Sequence, residues 1–265
     1  MHIPIDDTYG PNEPSPSEFV TGARRTHVAV VFEDNDVAYI RDQVRDCLDY
    51  LASQLPSPPA EFHFAEIYNK RGIWKHLDGE KNLFLIDAFS EIYRRYRWKV
   101  FIQTVDERTL KDQPSLAELP EIDDLDPRNN WSDLSLLLLC LQIRIAYKES
   151  RPPISLLVDQ GARAPNSPFG TKLFSNWGSS FTGKYESSSA EPLLQIADFL
   201  AFCINRVTYL GLKSVRTNVD YNFLEMVSEM KINCDQLKRW EVERGFSVKD
   251  VDAAHRDDRV KKGLE

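Results

Sequence analysis

Between Ser189 and Ile204 the chain reads Ser-Ala-Glu-Pro-Leu-Leu-Gln-Ile-Ala-Asp-Phe-Leu-Ala-Phe-Cys-Ile, apolar on nearly every side and interrupted by two polar residues, Gln195 and Asp198. Ser189 is placed to cap a helix, and Pro192 falls in its first turn, where the missing N–H costs little. A helix that is apolar all round from Leu193 to Ile204 must be buried, so the rest of the fold has to be built around it. Gln195 and Asp198 are three residues apart and share one face. A carboxylate in such a setting is costly unless a donor, a cation or a metal pairs with it. Asp198 therefore reads either as an aspartate hydrogen-bonded to a neighbouring loop or as a metal ligand whose companions lie elsewhere in the chain.

The chain has 265 residues, 42% of them hydrophobic, enough for one large core or a core with an appendage. A net charge of −8 creates no global positive field toward DNA or anionic lipid, which argues against a simple nucleic-acid coat protein. It leaves room for an enzyme whose carboxylates hold divalent cations. Cys47, Cys140, Cys203 and Cys234 are widely spaced in apolar surroundings and read as core thiols, not as a disulfide framework or zinc site. The opening residues have neither the basic nor the apolar region of a signal peptide. The longest apolar run, Leu134 to Leu141, is too short to cross a bilayer. A reducing, cytoplasmic setting without a membrane is the expectation.

Taken in order, His2 to Ile5 is a short extended run that delivers Asp6 and Asp7 to its end, before the turn-rich Thr8 to Pro16. Thr26 to Phe32 predicts a strand, and Asp36 to Leu55 a helix with Arg41, Asp42, Arg45, Asp46 and Asp49 on its solvated face. Glu61-Phe-His-Phe alternates, which predicts an extended segment with Glu61 and His63 on one side; Glu66 follows closely. Tyr68 to Gly79 reads as an irregular loop around Trp74, and Glu80 to Tyr96 as a helix. Arg94, Arg95, Arg97 and Lys99, interleaved with Tyr93, Tyr96 and Trp98, form a basic patch that suits nucleic-acid contact or simply complements a helix C-terminus. Lys99 to Val105 is a second strand, and residues 106 to 130 a polar surface excursion. A long helix capped by Asn130 or Ser132 runs through Tyr147. Ile154 to Val158 is a core strand ending in Asp159-Gln160-Gly161, read either as an Asx turn or as an acid at a strand's carboxyl end. Residues 161 to 188 are loop-like, with a short strand at Ser180 to Tyr185, and lead straight into the Asp198 helix as a candidate closing segment. Tyr221 to Met230 and Cys234 to Arg244 read as helices, and the tail from Ser247 as charged and frayed. P-loop, G-x-S-x-G and H-E-x-x-H motifs are all absent.

Asp6, Asp159 and Asp198 thus stand at comparable places, with Glu61 or Glu66 as a possible fourth acid. Like charges brought close raise one another's pKa values, so such a cluster is costly without cations. Oxygen-only ligands favour Mg²⁺ or Mn²⁺ over zinc. Two such ions can clamp the attacking and leaving oxygens of a phosphodiester.

Four segments carry a family resemblance. Ile5-Asp6-Asp7-Thr8-Tyr9-Gly10 resembles the opening I-D-E-S-G of the DUF3800 domain, and Glu61-Phe-His63 resembles its E-x-H segment. Val158-Asp159-Gln160 is similar to its V-D-E, and Leu194-Gln195-Ile-Ala-Asp198-Phe-Leu to its signature L-Q-x-A-D-x-L. The resemblance implies an α/β, RNase H-like mixed sheet flanked by helices over about residues 1–210, followed by a helical C-terminal extension, 211–265. It further implies that Asp6, Asp159, Asp198 and Glu61 (with Glu66 as substitute) are metal ligands, and that His63 orients a ligand or the substrate. Asp7 and Gln160 depart from the family's Glu at their positions; with Gln195 they are secondary candidates, and the loss of charge at Gln160 bears on how many cations bind. The expected function is a Mg²⁺- or Mn²⁺-dependent nuclease with nucleic acid as partner. The alternative is an RNase H-like module that has lost catalysis and binds a nucleic acid or protein.

Overall fold

The β-branched run around Val28 forms the central rungs of a five-stranded mixed sheet. The structure, a computed structural model, describes residues 1–161, 163–237 and 245–264. The strands are β1 (His2–Tyr9), β2 (Arg24–Val31), β3 (Lys99–Asp106), β4 (Ile154–Asp159) and β5 (Phe181–Glu186). Their order is β3-β2-β1-β4-β5. β1 runs antiparallel to β2, and β2 antiparallel to β3, whereas β4 is parallel to both β1 and β5.

Helices cover both faces. They are α1 (Asp34–Ala52), α2 (Phe64–Tyr68), α3 (Lys81–Tyr96), α4 (Glu107–Asp112), α5 (Trp131–Ala146), α6 (Pro192–Leu212), α7 (Asn218–Met230) and α8 (Val248–Lys261). One core packs α1, α3, α6 and α7 against Val28, Val30, Val100 and Leu157. The other packs α5 against Ile3, Ile5, Ala29, Leu156 and Val158. The period-two alternation of each strand thus divides its side chains between two apolar layers.

α6 is the long helix expected, and it lies on β1 and β2. Its N-cap is Glu191, not Ser189: the Glu191 carboxylate accepts from the Leu193 N–H at 3.1 Å and is held by Arg41 at 2.6 and 2.9 Å. Among the described residues α6 is the one helix long and apolar enough to cross a membrane, yet it is mostly buried inside the protein. Asn130 caps α5, accepting from Ser132 and Asp133 N–H at 2.9 and 3.4 Å. All four cysteines are free thiols.

Several segments differ from the expectation. β1 does not end at Asp6 but continues to Tyr9, because β2 pairs with it as far as Arg25. Glu61 to Phe64 is not a strand: it bends into the short α2, and both Phe62 and Phe64 turn inward against Phe89 at 4.8 and 4.7 Å. Trp74 is buried in a 3₁₀ turn, Gly72–His76, so that stretch is an ordered part of the core. Residues 106 to 130 contain α4 and also send Leu125 into the α5 core. The segment before β5 is anchored by Phe169, Phe174 and Trp177 on the α5 side of the sheet, the face opposite α6, so those residues do not form a closing flap over Asp198.

At the C-terminal end, α7 sends Phe223, Leu224 and Met230 into the same core as α6. Of the helix expected over Cys234 to Arg244, residues 234–237 form a turn and residues 238–244 lie outside the described residues. The tail does not fray from Ser247. It forms α8, whose Asp250 accepts from the Ser247 N–H at 2.7 Å, and which folds back on the β1–β2 connection: Asp252 accepts from Ser17, Arg256 reaches Glu18 at 2.8 Å, and Arg259 pairs with Asp112.

Phe199 is fully buried, with ring centroids 5.0 Å from Phe64 and 5.7 Å from Phe89. Phe199→Ala is expected to cost about 3–5 kcal/mol in urea unfolding, the range for an aromatic deleted from a packed core.

Candidate functional site

Parallel pairing sets Ile5 opposite Val158, so the next residues, Asp6 and Asp159, lie at the same level on adjacent strands. Asp6 is opposite Val28, a residue of the α6-side core, while Ile5 belongs to the other layer; Asp6 therefore faces α6. Asp159 follows the same alternation after Leu157. From Glu191 to Cys203 every residue of the α6 segment is buried except Asp198, which is partly open. Asp6 and Asp159 thus stand where the parallel ladder between β1 and β4 ends, and Asp6 is near enough to Asp159 and Asp198 to feel both charges.

Gln195 holds the surrounding loops. It is fully buried, its Oε1 accepts from the Phe62 N–H at 3.0 Å, and its Nε2 donates to the Ser188 carbonyl at 2.9 Å. One amide thus joins α6 to the segment before α2 and to the loop after β5. One turn further on, Asp198 Oδ2 accepts from the Phe64 N–H at 3.2 Å and lies 3.5 Å from His63 Nδ1. Glu61 accepts from the Ser188 hydroxyl. The hydrogen-bond donor that Asp198 needs is therefore present, at the first residue of α2, and among the described residues its other oxygen has no hydrogen-bond donor.

Charge accounts for the protonation behaviour of the cluster. Burial, and then the charges of Asp198 and Asp159, hold the Asp6 carboxyl well above the usual carboxylate range. Asp159 is raised by burial, with Glu61, Asp7 and Asp198 adding to it against the Gly161 N–H that it accepts at 3.1 Å. His63 is raised to about 9, chiefly by its hydrogen bond to Asp198. Among the described residues no three His, Cys, Asp or Glu side chains are gathered as a ready metal-ligand set. The acids are electrostatic neighbours, each with an oxygen turned toward a donor of its own: Asp7 N–H for Asp6, Gly161 N–H for Asp159 and Phe64 N–H for Asp198.

The remaining candidates fall elsewhere. Asp7 points to the opposite face, where Arg25 and the Ser132 hydroxyl offset the burial that raises its pKa. The Glu66 carboxylate rests against Gly72, where a Cβ would meet it at 3.1 Å. Gln160 leaves the sheet, with its backbone N–H on the Glu186 carbonyl at 2.9 Å and its Oε1 buried without a hydrogen-bond partner among the described residues. The basic patch does not join the acids. Lys99 pairs with Val31 across β2, toward the end of the sheet where β1 begins. Arg94 is tied to Glu91 and Glu229 at 3.3 Å each and Lys99 to Asp235, while Arg95 and Arg97 are exposed at the end of α3.

Two contributors were not singled out in the sequence. Ser188 orients Glu61, and nothing in its Ser-rich surroundings distinguishes it from Ser187 or Ser189. Glu186 sits beside Asp159 in the β4–β5 register, but Lys184 pairs with it and lowers its pKa; an acid closing a strand was its visible signal.

No family model matches this chain, and neither a curated protein nor a solved structure matches it. The likeness to DUF3800 rests on the four segments quoted above.

The raised His63 value fixes the sign of a pH effect. The imidazolium–Asp198 pair contributes stability that is complete below the ordinary histidine pKa near 6.5 and is lost as pH rises through about 9. Proton NMR of the metal-free protein should place the His63 midpoint near 9, and Asp198→Asn should return it toward 6.5. Gln195→Leu, which strands the Phe62 N–H and the Ser188 carbonyl, should cost roughly 1–3 kcal/mol per buried group in chemical denaturation.

Proposed function

We propose that this chain is a divalent-cation-dependent phosphodiesterase of RNase H-like fold that acts on nucleic acid. The observation that carries the reading is the nearness of Asp6 to Asp159 and to the partly open Asp198: burial and those two charges keep the Asp6 carboxyl well above its usual range. Clustering like charges is unfavourable unless something positive shares the site. The sheet order β3-β2-β1-β4-β5, antiparallel on one side of β1 and parallel on the other, supports the fold assignment.

Asp6, Asp159, Asp198 and Glu61 would hold Mg²⁺ or Mn²⁺, hard cations that favour carboxylate oxygens. Such a cation, when bound, polarises phosphate oxygens and makes a water easier to deprotonate. The chain's own residues do the positioning. Gln195 fixes the distance between the loop that carries Glu61 and the helix that carries Asp198. His63, half-exposed beside Asp198, holds a proton at Nδ1 where it orients that carboxylate, and its ring faces solvent at the mouth of the site.

A second reading, a binding module without catalysis, is favoured by one observation: Gln160 stands where the resembling family has an acid, and the acids do not close into a ready ligand set.

Two measurements separate the readings. Labelled DNA and RNA incubated with Mg²⁺ or Mn²⁺ should be cut by the wild type, and Asp159→Asn and Asp198→Asn should each lower the rate by roughly 100-fold or more, the scale of losing one electrostatic contact in a site. Wild-type rates in both variants would refute the assignment. Binding can be read without cleavage. Because the fold favours protonated Asp6, stability is lost as pH rises from the ordinary carboxylate range through the raised Asp6 value, and a cation can replace that proton. Mg²⁺ should therefore stabilise the fold more at pH 8 than at pH 5, reaching about 2.7 kcal/mol at a hundred times its Kd, read as a rise in melting temperature. A flat response at both pH values would favour the module.

A further inference from the structure

Beyond the end of β4, strands β1, β2 and β3 continue as a three-stranded lip. There Arg24 and Arg25, Asn129 and Asn130, Trp131 and Gly10 line a pocket of about 340 Å³. We propose that this pocket is a phosphate-binding site for the backbone of a single-stranded nucleic acid, holding the strand that the acidic cluster cuts; the proposal rests on the phosphodiesterase reading for its partner, while the pocket's chemistry stands apart from it.

The charge argument comes first. No carboxylate is among the described residues that line the pocket, in a chain whose net charge is −8. Arg24 is 7% exposed, and its guanidinium donates to two neutral acceptors, the Thr21 carbonyl at 3.1 Å and Asn205 Oδ1 at 2.7 Å. Asp106 lies across the strand from it, but its oxygens are turned to Thr21 and Thr109. Arg25 makes no hydrogen bond or ion pair among the described residues; the Tyr9 ring lies 4.9 Å from its guanidinium carbon, and Asp7 is near enough to feel its charge without being bonded to it. Buried cations are normally paired. Asp106 and Asp7 act on the two guanidiniums only through space, so neither fork is filled by a carboxylate and both can take an anion from outside; arginine's planar fork matches phosphate.

The shape argument selects a strand. Gly10 permits the close approach: a Cβ there would fall 2.1 Å from the Gly22 carbonyl and 2.9 Å from the Arg24 guanidinium. Tyr9, 64% exposed, and the partly exposed Trp131 flank the arginines. Aromatics beside cations form a stacking platform for unpaired bases. Asn205, which binds both Arg24 and the Tyr9 carbonyl, is seven residues beyond Asp198 on the same face of α6. At 1.5 Å per residue this places the pocket's edge about 10 Å along the helix from the acids, within reach of a short oligonucleotide.

The test is fluorescence anisotropy with fluorescein-labelled single-stranded DNA and RNA, full-length protein and EDTA present, so that neither a cation nor cleavage is involved. Arg24 is buried and its replacement risks the fold, so Arg25 carries the test. Arg25→Glu should weaken binding roughly tenfold to a hundredfold, and should reduce the salt dependence by about 0.7 in log–log slope, the share of one single-strand phosphate, in protein shown by circular dichroism to be folded. Arg25→Lys, which keeps the charge and loses the fork, should fall between. Equal binding by wild type and Arg25→Glu would overturn the proposal, as would a loss caused instead by Arg94→Glu. Inorganic phosphate that stabilises the wild type while neither oligonucleotide binds would also overturn it, in favour of a small phosphorylated ligand. Absent cleavage with Arg25-dependent binding would defeat the phosphodiesterase reading alone; intact cleavage with Arg25-independent binding would defeat this one alone.

Discussion

A single buried amide sets the spacing on which the rest of the site depends. Gln195 has no solvent contact, so its two hydrogen bonds, to the Phe62 N–H and the Ser188 carbonyl, are not in competition with water. Both partners are loop groups that would otherwise need satisfaction of their own. The amide therefore fixes two irregular segments against a rigid helix, and the acids on those segments inherit the helix's position. Asp198, on the same face, is the one residue of that stretch the packing leaves uncovered.

Electrostatics runs against this packing. Burial and mutual repulsion both favour the protonated form of Asp6, while the Asp7 N–H favours its anion. The imidazolium of His63 supplies one positive charge from the side of Asp198. Lys184 of β5 is engaged with Glu186 and Arg41 of α1 with Glu191, so neither supplies a second. Those two cations hold loops in place, and the acids are left with less positive charge than their number calls for.

Much of this arrangement was legible in the sequence, for identifiable reasons. The β-branched strands and the uniformly apolar helix are local patterns strong enough to survive tertiary context, and Gln195 and Asp198 stood out because nothing else polar interrupts α6. The misses share a different origin. Alternation in Glu61-Phe-His-Phe reads as a strand, yet a run this short satisfies two periods equally, and the aromatic core around Phe89 selected the bend. The turn-rich residues after Asp6 concealed three more residues of β1, because pairing with β2 outweighs local propensity. Ser189 has a good capping side chain, but Arg41 on α1 holds Glu191 where it can cap instead, a contact made across 150 residues of sequence. The α8 tail looked unstructured because its charge masked a single apolar anchor, Val251, and the Ser247–Asp250 pair at its start. The mouth of the pocket beside Trp131 was invisible for the simplest reason: its two arginines and three asparagines come from segments a hundred residues apart.

The clasp between α8 and the β1–β2 connection joins segments far apart in the chain. Ser17 and Glu18 are held by Asp252 and Arg256, more than 230 residues away, and the connection they belong to runs directly into Arg24. Arg108 and Asp106 hold the same connection from the β3–α4 side, so a helix far along the chain adds a second brace to the wall of the lip. A change in α8 can therefore be felt at Arg24 without touching it.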